Sequence, residues 1–375
     1  MHIYFDNAAS TKVDEEVLKL MYELQKTNFG NPSSIHHFGR NAKSLIEKSR
    51  RTIANYFSAA PSEIFFTSGG TEAINMAISA CVNSLKITKV ITSKLEHQAV
   101  LQCLESYEKM GLIELNYLNF DEKANLNFDE LNEFLSKNPN SLVALMHLNN
   151  EISNLLPIKK VSKICKKHKA IFLSDTVQSI GHYQLNLETI EIDFIVGSAH
   201  KFHGPKGVGF IYVNNNMNIK PLIIGGAQER NMRAGTENVI GIAGMAKALE
   251  IAYEDFEKNA KYISGLKNYF VERIKKEFLD CSFLGESEEK GAFTILNVVF
   301  PKTEKSEMLM INLDIDGIAV SEGSACTSGS SVRSHVVEAL GLDENKQALR
   351  FSFSKFNTME EIDICIDSLK KYLSA

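Results

Sequence analysis

Across residues 13–28 the apolar positions Val17, Leu18, Met21 and Leu24 recur at helical spacing behind Asp14, a suitable N-cap, so the pattern predicts an amphipathic helix after a short first strand. A second helix fits residues 41–57. From there to about residue 215, short β-branched or aromatic runs alternate with helical segments. The strand candidates are Ile64-Phe65-Phe66, Val90-Ile91-Thr92, Val143-Ala144-Leu145-Met146, Ile171-Phe172-Leu173, Phe194-Ile195-Val196 and Phe210-Ile211-Tyr212-Val213. Strands that alternate with helices in this way predict a largely parallel sheet covered by helices. A long helix is predicted near residues 239–275. Beyond it, strand-like stretches at 294–300, 317–320 and 349–353 and helices near 304–313 and 360–372 predict a smaller α/β domain, which the first residues join. The pattern thus divides the chain into a large domain at 14–255 and a small domain made of 1–13 and 256–375.

Composition narrows the class without changing this picture. The 375 residues are 44% apolar and 23% charged, with 41 basic and 46 acidic residues and a net charge of −5. That balance excludes a disordered or coiled-coil chain and argues against nucleic acid or an anionic membrane as the main partner. The N-terminus lacks the basic and apolar regions of a secretory signal, and no run of about 18 apolar residues is present to span a membrane. Cys81, Cys103, Cys165, Cys281, Cys326 and Cys365 stand far apart with no CxxC pair, which suggests neither a disulfide framework nor a zinc site and points to a reducing cytoplasm.

In an open parallel sheet, ligands bind beyond the carboxyl ends of the strands. Here the residues following the strand candidates are unusually polar: Thr67-Ser68-Gly69-Gly70-Thr71-Glu72, Glu96-His97, His147-Leu148-Asn149-Asn150-Glu151, Ser174-Asp175-Thr176-Val177-Gln178 and Gly197-Ser198-Ala199-His200-Lys201. Taken singly, His97 reads as a core histidine, Asp175 as a helix N-cap and Lys201 as a surface lysine. Their convergence is what carries information, because one sheet delivers a His, an Asn, an Asp and a Lys to the same crevice. A desolvated lysine can form a Schiff base, a carboxylate can hold a pyridinium nitrogen, and a helix N-terminus with hydroxyls can bind phosphate. Those are the requirements of pyridoxal 5'-phosphate, with Lys201 for the aldehyde, Asp175 for the ring nitrogen and Gly70, Thr71, Ser198 and His200 for the phosphate.

Cys326 lies in Gly323-Ser324-Ala325-Cys326-Thr327-Ser328-Gly329, whose composition predicts a mobile, exposed loop. A tolerated free thiol, a redox sensor and a nucleophile delivered to the cofactor site all fit that setting.

Several segments together resemble the cysteine desulfurases of the NifS/IscS kind, within the class V aminotransferases. They are Tyr4-Phe5-Asp6-Asn7-Ala8-Ala9, Ser33-Ser34-Ile35-His36, Thr67 to Glu72, Glu96-His97, Asn149-Asn150-Glu151, Asp175 to Gln178, Ser198 to Lys201, Gly204-Pro205-Lys206-Gly207, Gln228-Glu229-Arg230 with Arg233-Ala234-Gly235-Thr236, and Gly323 to Ser328. The Ser-Ala-Cys-Thr-Ser loop is similar to that of group I desulfurases, which serve iron–sulfur cluster assembly. The resemblance implies an α/β chain of pyridoxal phosphate fold type I, with a mostly parallel seven-stranded sheet in the large domain. It implies that Lys201 bonds the cofactor and removes the substrate Cα proton, that Gln178 bonds the ring hydroxyl and that His97 stacks on the ring and assists proton transfer. It further implies that Arg350 grips the substrate carboxylate beside Asn150, that Thr236 reaches the phosphate of a second subunit in a homodimer, and that Cys326 takes the sulfur of L-cysteine as a persulfide, leaving alanine, for an iron–sulfur scaffold or other acceptor. A selenocysteine lyase or another class V enzyme is the alternative, and Cys326 discriminates between them. Two departures stand out: Gly70 occupies a position where Ala is common, and Thr176-Val177 replaces a more usual Ala-Thr or Ala-Val pair.

Overall fold

A computed structural model of the chain describes residues 2–303, 306, 308–322 and 333–373. Its strands are β1 (Ile3–Tyr4), β2 (Ile64–Thr67), β3 (Lys89–Thr92), β4 (Glu114–Tyr117), β5 (Leu142–Ala144), β6 (Ile171–Asp175), β7 (Phe194–Ser198), β8 (Gly209–Val213), β9 (Ser282–Phe283), β10 (Ile295–Pro301), β11 (Ile318–Ala319) and β12 (Lys346–Ser352). The helices are α1 (Glu15–Thr27), α2 (His37–Tyr56), α3 (Gly70–Ser79), α4 (Gln98–Lys109), α5 (Phe128–Lys137), α6 (Ile158–Lys167), α7 (Val239–Glu254), α8 (Phe256–Glu277), α9 (Leu309–Ile315), α10 (His335–Ala339) and α11 (Met359–Leu373). None of the described helices is long and apolar enough to cross a membrane.

The larger sheet has seven strands in the order β2-β8-β7-β6-β5-β3-β4. β8 runs antiparallel to both its neighbours and the other paired strands are parallel. Its central strands are apolar on both faces because helices cover both. Successive side chains point to opposite faces, so each strand feeds two cores. Phe66, Ile91, Val143, Ile195 and Phe210 pack with α1, α2, α5, α6 and α7, while their neighbours Phe65, Val90, Leu142, Phe194 and Ile211 pack with α3 and α4. A separate core joins Ile3 and Phe5 to Phe270 on α8, Leu296 and Val298 on β10, Leu349 and Phe351 on β12 and Ile362 and Ile366 on α11. There β10 pairs antiparallel with β12 and β9, and β1 pairs parallel with β11.

One expectation needs correction, and one strand is unmarked by the sequence pattern. The long helix near residues 239–275 is two helices separated at Asp255, whose backbone has left the helical region at φ −96° and ψ 13°. Asp disfavours helix interiors because its side chain competes for nearby backbone groups, and here the turn lets α7 serve the large core and α8 the separate one. The edge strand β4 carries no apolar run: of Glu-Leu-Asn-Tyr only Leu115 is buried, and pairing with β3 decides its conformation.

Strand β2 lies at the sheet edge, directly before the turn that opens α3. A buried ion pair secures it. Arg50 and Glu229 side chains are each 2% exposed, and Arg50 Nη1 and Nη2 donate to Glu229 Oε2 and Oε1 at 2.8 and 2.9 Å. Glu229 Oε2 also accepts from the Phe66 N–H at 2.8 Å, and Arg50 Nη1 donates to the Ile64 carbonyl at 2.7 Å. The pair therefore satisfies backbone groups on the unpaired side of β2, and it holds Glu229, Arg230 and Asn231 at φ values of 44°, 55° and 66°. Removing one partner strands a buried charge. Glu229→Gln is expected to cost roughly 3–5 kcal/mol of unfolding free energy in a denaturant titration; an unchanged midpoint and slope would contradict this account of the edge.

Candidate active site

Strand direction brings the polar segments together. A cavity of about 170 Å³ is lined by Gly70 and Thr71 from the start of α3, His97 before α4, Asn150 after β5, Asp175 at the end of β6, Gln178 just beyond it, and Ser198, His200 and Lys201 from the end of β7. Ala8, Ala9, Ile74, Met146, Leu148 and Val177 complete the wall, and Arg350 enters it from β12.

Each side chain has a local reason for its place. His97 is the N-cap of α4, its Nδ1 accepting from the Ala99 N–H at 3.1 Å. Asp175 Oδ1 accepts from the Val177 N–H at 2.9 Å. Burial pushes the Asp175 carboxyl above its ordinary range, while the charges of His97 and Lys201 and the Val177 N–H act to lower it. Lys201 follows β7 in a short 3₁₀ turn, and its Nζ donates to the carbonyls of Ala8 and Ala9 at 2.6 and 2.9 Å. Gln178 Nε2 donates to the same Ala8 carbonyl at 2.7 Å. His200 Nδ1 lies 3.3 Å from Ser10 Oγ, and burial with the nearby Lys201 and Lys206 lowers its pKa to about 4, so the ring is neutral at pH 7. Behind the lysine, His182 Nε2 lies 3.3 Å from the Lys201 carbonyl.

Arg350 is a fully buried cation at 1% exposure. Nη1 donates to the Asn150 carbonyl at 2.9 Å and Nη2 to Asp6 Oδ1 at 2.8 Å, while Nε is buried with no partner among the described residues. The neighbouring Asn149 is structural: its Oδ1 accepts from Glu151 and Ile152 N–H at 2.8 and 3.1 Å and its Nδ2 donates to the Leu95 carbonyl at 2.8 Å.

Ten of the residues singled out in the sequence thus share one cavity: Gly70, Thr71, His97, Asn150, Asp175, Gln178, Ser198, His200, Lys201 and Arg350. Thr236 does not join them; it lines a separate pocket of about 90 Å³ with Thr67, Ser68 and Gly235. Cys326 and the loop predicted around it lie outside the described residues. Sequence reasoning gave no role to Asp6, Ala8 or Ala9, although all three stand in a segment that carries the family resemblance.

The class V aminotransferase model matches residues 3–365. The chain belongs to the class V aminotransferase family. Within that family it is 41% identical, over 99% of its length and 94% of the relative's, to a cysteine desulfurase IscS of Dictyoglomus turgidum. Among solved structures of this class V fold, it superposes on a NifS-like protein with a TM-score of 0.91 at 35% identity, covering 100% of both chains. It also matches the structure of SspA in complex with cysteine, with a TM-score of 0.81 at 30% identity over 95% of this chain and 100% of the other.

One of the two sequence departures, Gly70, has a packing reason. A Cβ on Gly70 would lie 2.7 Å from Val177 Cγ2, closer than carbon atoms tolerate, and a β-branched side chain has little freedom to turn away. The glycine that opens α3 leaves room for Val177 after β6. Gly70→Ala alone is expected to lower unfolding free energy by about 1–3 kcal/mol, and adding Val177→Ala should recover most of that loss. A double-mutant cycle with strictly additive terms would contradict the contact.

Proposed function

We propose that this chain is a pyridoxal-phosphate-dependent cysteine desulfurase, which converts L-cysteine to L-alanine and carries the sulfur on Cys326 as a persulfide for iron–sulfur cluster assembly. The observation that supports this most is the convergence of Lys201, Asp175, His97 and Arg350 on one cavity in a chain whose relatives are cysteine desulfurases.

The residues fit the cofactor by the chemistry of their donors. Lys201 supplies a primary amine for the aldehyde, and Asp175 a buried carboxylate for the ring nitrogen, whose positive charge would offset the cost of that burial. Gln178 would meet the ring hydroxyl and His97 the ring face. The opening turn of α3 presents Gly70 and Thr71, with Ser198 and neutral His200 nearby as further donors for phosphate. Thr236 lines a different pocket in its own chain, which agrees with a role toward a second subunit. Bound there, pyridoxal phosphate supplies a sink for the electron pair left at the substrate Cα.

The chain's own residues do the rest. Arg350 holds the substrate carboxylate, with Asn150 beside it. Lys201, displaced by the substrate amine, takes the Cα proton as general base. Cys326 attacks as thiolate: a sulfur–sulfur bond forms, the carbon–sulfur bond breaks with its electron pair left on Cβ, Cβ is protonated, and Lys201 returns the proton to Cα to give alanine. The persulfide then passes to an acceptor protein. We further propose that residues 14–255 form the cofactor domain and that 1–13 with 256–375 form the small domain carrying Cys326, a division that the separate hydrophobic cores support. A homodimer working in the cytoplasm completes the reading.

With L-cysteine and a reducing thiol, the purified protein is expected to release alanine and sulfide in equal amounts, and Cys326→Ala is expected to lose both. Alanine production undiminished in that variant would overturn the role of Cys326, and bound cofactor without either product would point to another class V reaction.

A further inference from the structure

The strongest unassigned feature of the cavity is the pair of groups that hold Arg350 from behind. Arg350 Nη2 donates to Asp6 Oδ1 at 2.8 Å, and the same oxygen accepts from Ser321 Oγ at 2.9 Å. Ser321 and Arg350 also exchange backbone hydrogen bonds, with the Arg350 N–H to the Ser321 carbonyl at 2.7 Å and the Ser321 N–H to the Arg350 carbonyl at 3.3 Å. Asp6 itself is fixed by a parallel bridge to Ser352 and by the Ser352 N–H bond to the Phe5 carbonyl at 2.7 Å. Three segments that are far apart in the chain therefore close a triangle around one guanidinium.

This geometry selects which edge of the guanidinium remains for a ligand. One hydrogen of Nη1 meets the Asn150 carbonyl and one hydrogen of Nη2 meets Asp6. Nε is buried with no partner among the described residues, and a buried unpaired donor is costly unless a ligand meets it. The Nε–Nη2 edge offers two parallel N–H groups at the spacing of a carboxylate's oxygens.

We propose that Asp6 is a positioning residue, assisted by Ser321, that turns the Nε–Nη2 edge of Arg350 toward the substrate carboxylate. This rests on the proposed function, in which Arg350 binds that carboxylate. Asp6 is an anion beside the same cation, so its charge alone would compete with substrate; positioning and competition give opposite signs when Asp6 is replaced.

The test titrates pyridoxal-phosphate-loaded protein with L-alanine and with ethylamine, which is alanine without its carboxylate, following the cofactor absorbance. The parent is expected to prefer alanine. Asp6→Ala is expected to weaken alanine at least tenfold and to leave ethylamine within about twofold, with Asp6→Asn intermediate because it keeps an acceptor for Arg350 and Ser321. Ser321→Ala is expected to weaken alanine less than Asp6→Ala does. Tighter alanine binding in either Asp6 variant would overturn positioning in favour of competition, and equal weakening of both ligands would reduce Asp6 to general support of the fold. A parent that does not prefer alanine would instead overturn the carboxylate grip on which the inference rests.

Discussion

A buried guanidinium joins the two halves of this molecule. Arg350 belongs by its backbone to the antiparallel sheet of the separate core, yet its side chain reaches the carboxyl ends of the seven-stranded sheet and donates to the carbonyl of Asn150. A charge at 1% exposure is sustainable only with partners, and Asp6 and Asn150 supply them. Without that reach, the cavity at the strand ends would lack its guanidinium.

The larger sheet provides the other side of the arrangement. Parallel strands buried on both faces spend their side chains on two cores, so their polar groups collect just past the carboxyl ends, where Asp175, Ser198 and Lys201 stand. The N-terminal segment then folds across them and offers the carbonyls of Ala8 and Ala9 to Lys201. The turn before α3 is steadied by two ion pairs: Arg50 with Glu229 behind β2, and Arg233 with Glu72 at 2.8 Å, where Glu72 also accepts from the Ser68 N–H at 2.9 Å. Positions that look like loop decoration in sequence thus fix the helix end that faces the cavity.

How much of this is legible without coordinates depends on the range of the interaction. Alternating apolar runs mark β2, β3, β5, β6, β7 and β8 because burial on two faces leaves a local signature, whereas β4 owes its conformation to pairing with β3 and has none. The break at Asp255 has no proline or glycine to announce it and follows from two helices serving different cores. His97, Asp175 and Lys201 can be read from sequence because each directly follows a strand in a sheet whose direction is predictable. Asp6 cannot, since its partner Arg350 is 344 residues away and the bond exists only once both sheets have formed. The Gly70–Val177 fit is visible as one oddity in the sequence, Gly70, whose reason is a contact in space.

The account stands or falls on Lys201 as the residue that bonds the cofactor. Borohydride reduction of the purified holoprotein, followed by proteolysis and mass spectrometry, locates that bond directly. A phosphopyridoxyl group on the peptide containing Lys201, and on no other lysine, is the predicted result; a label on a different lysine, or none, would contradict the reading of the cavity.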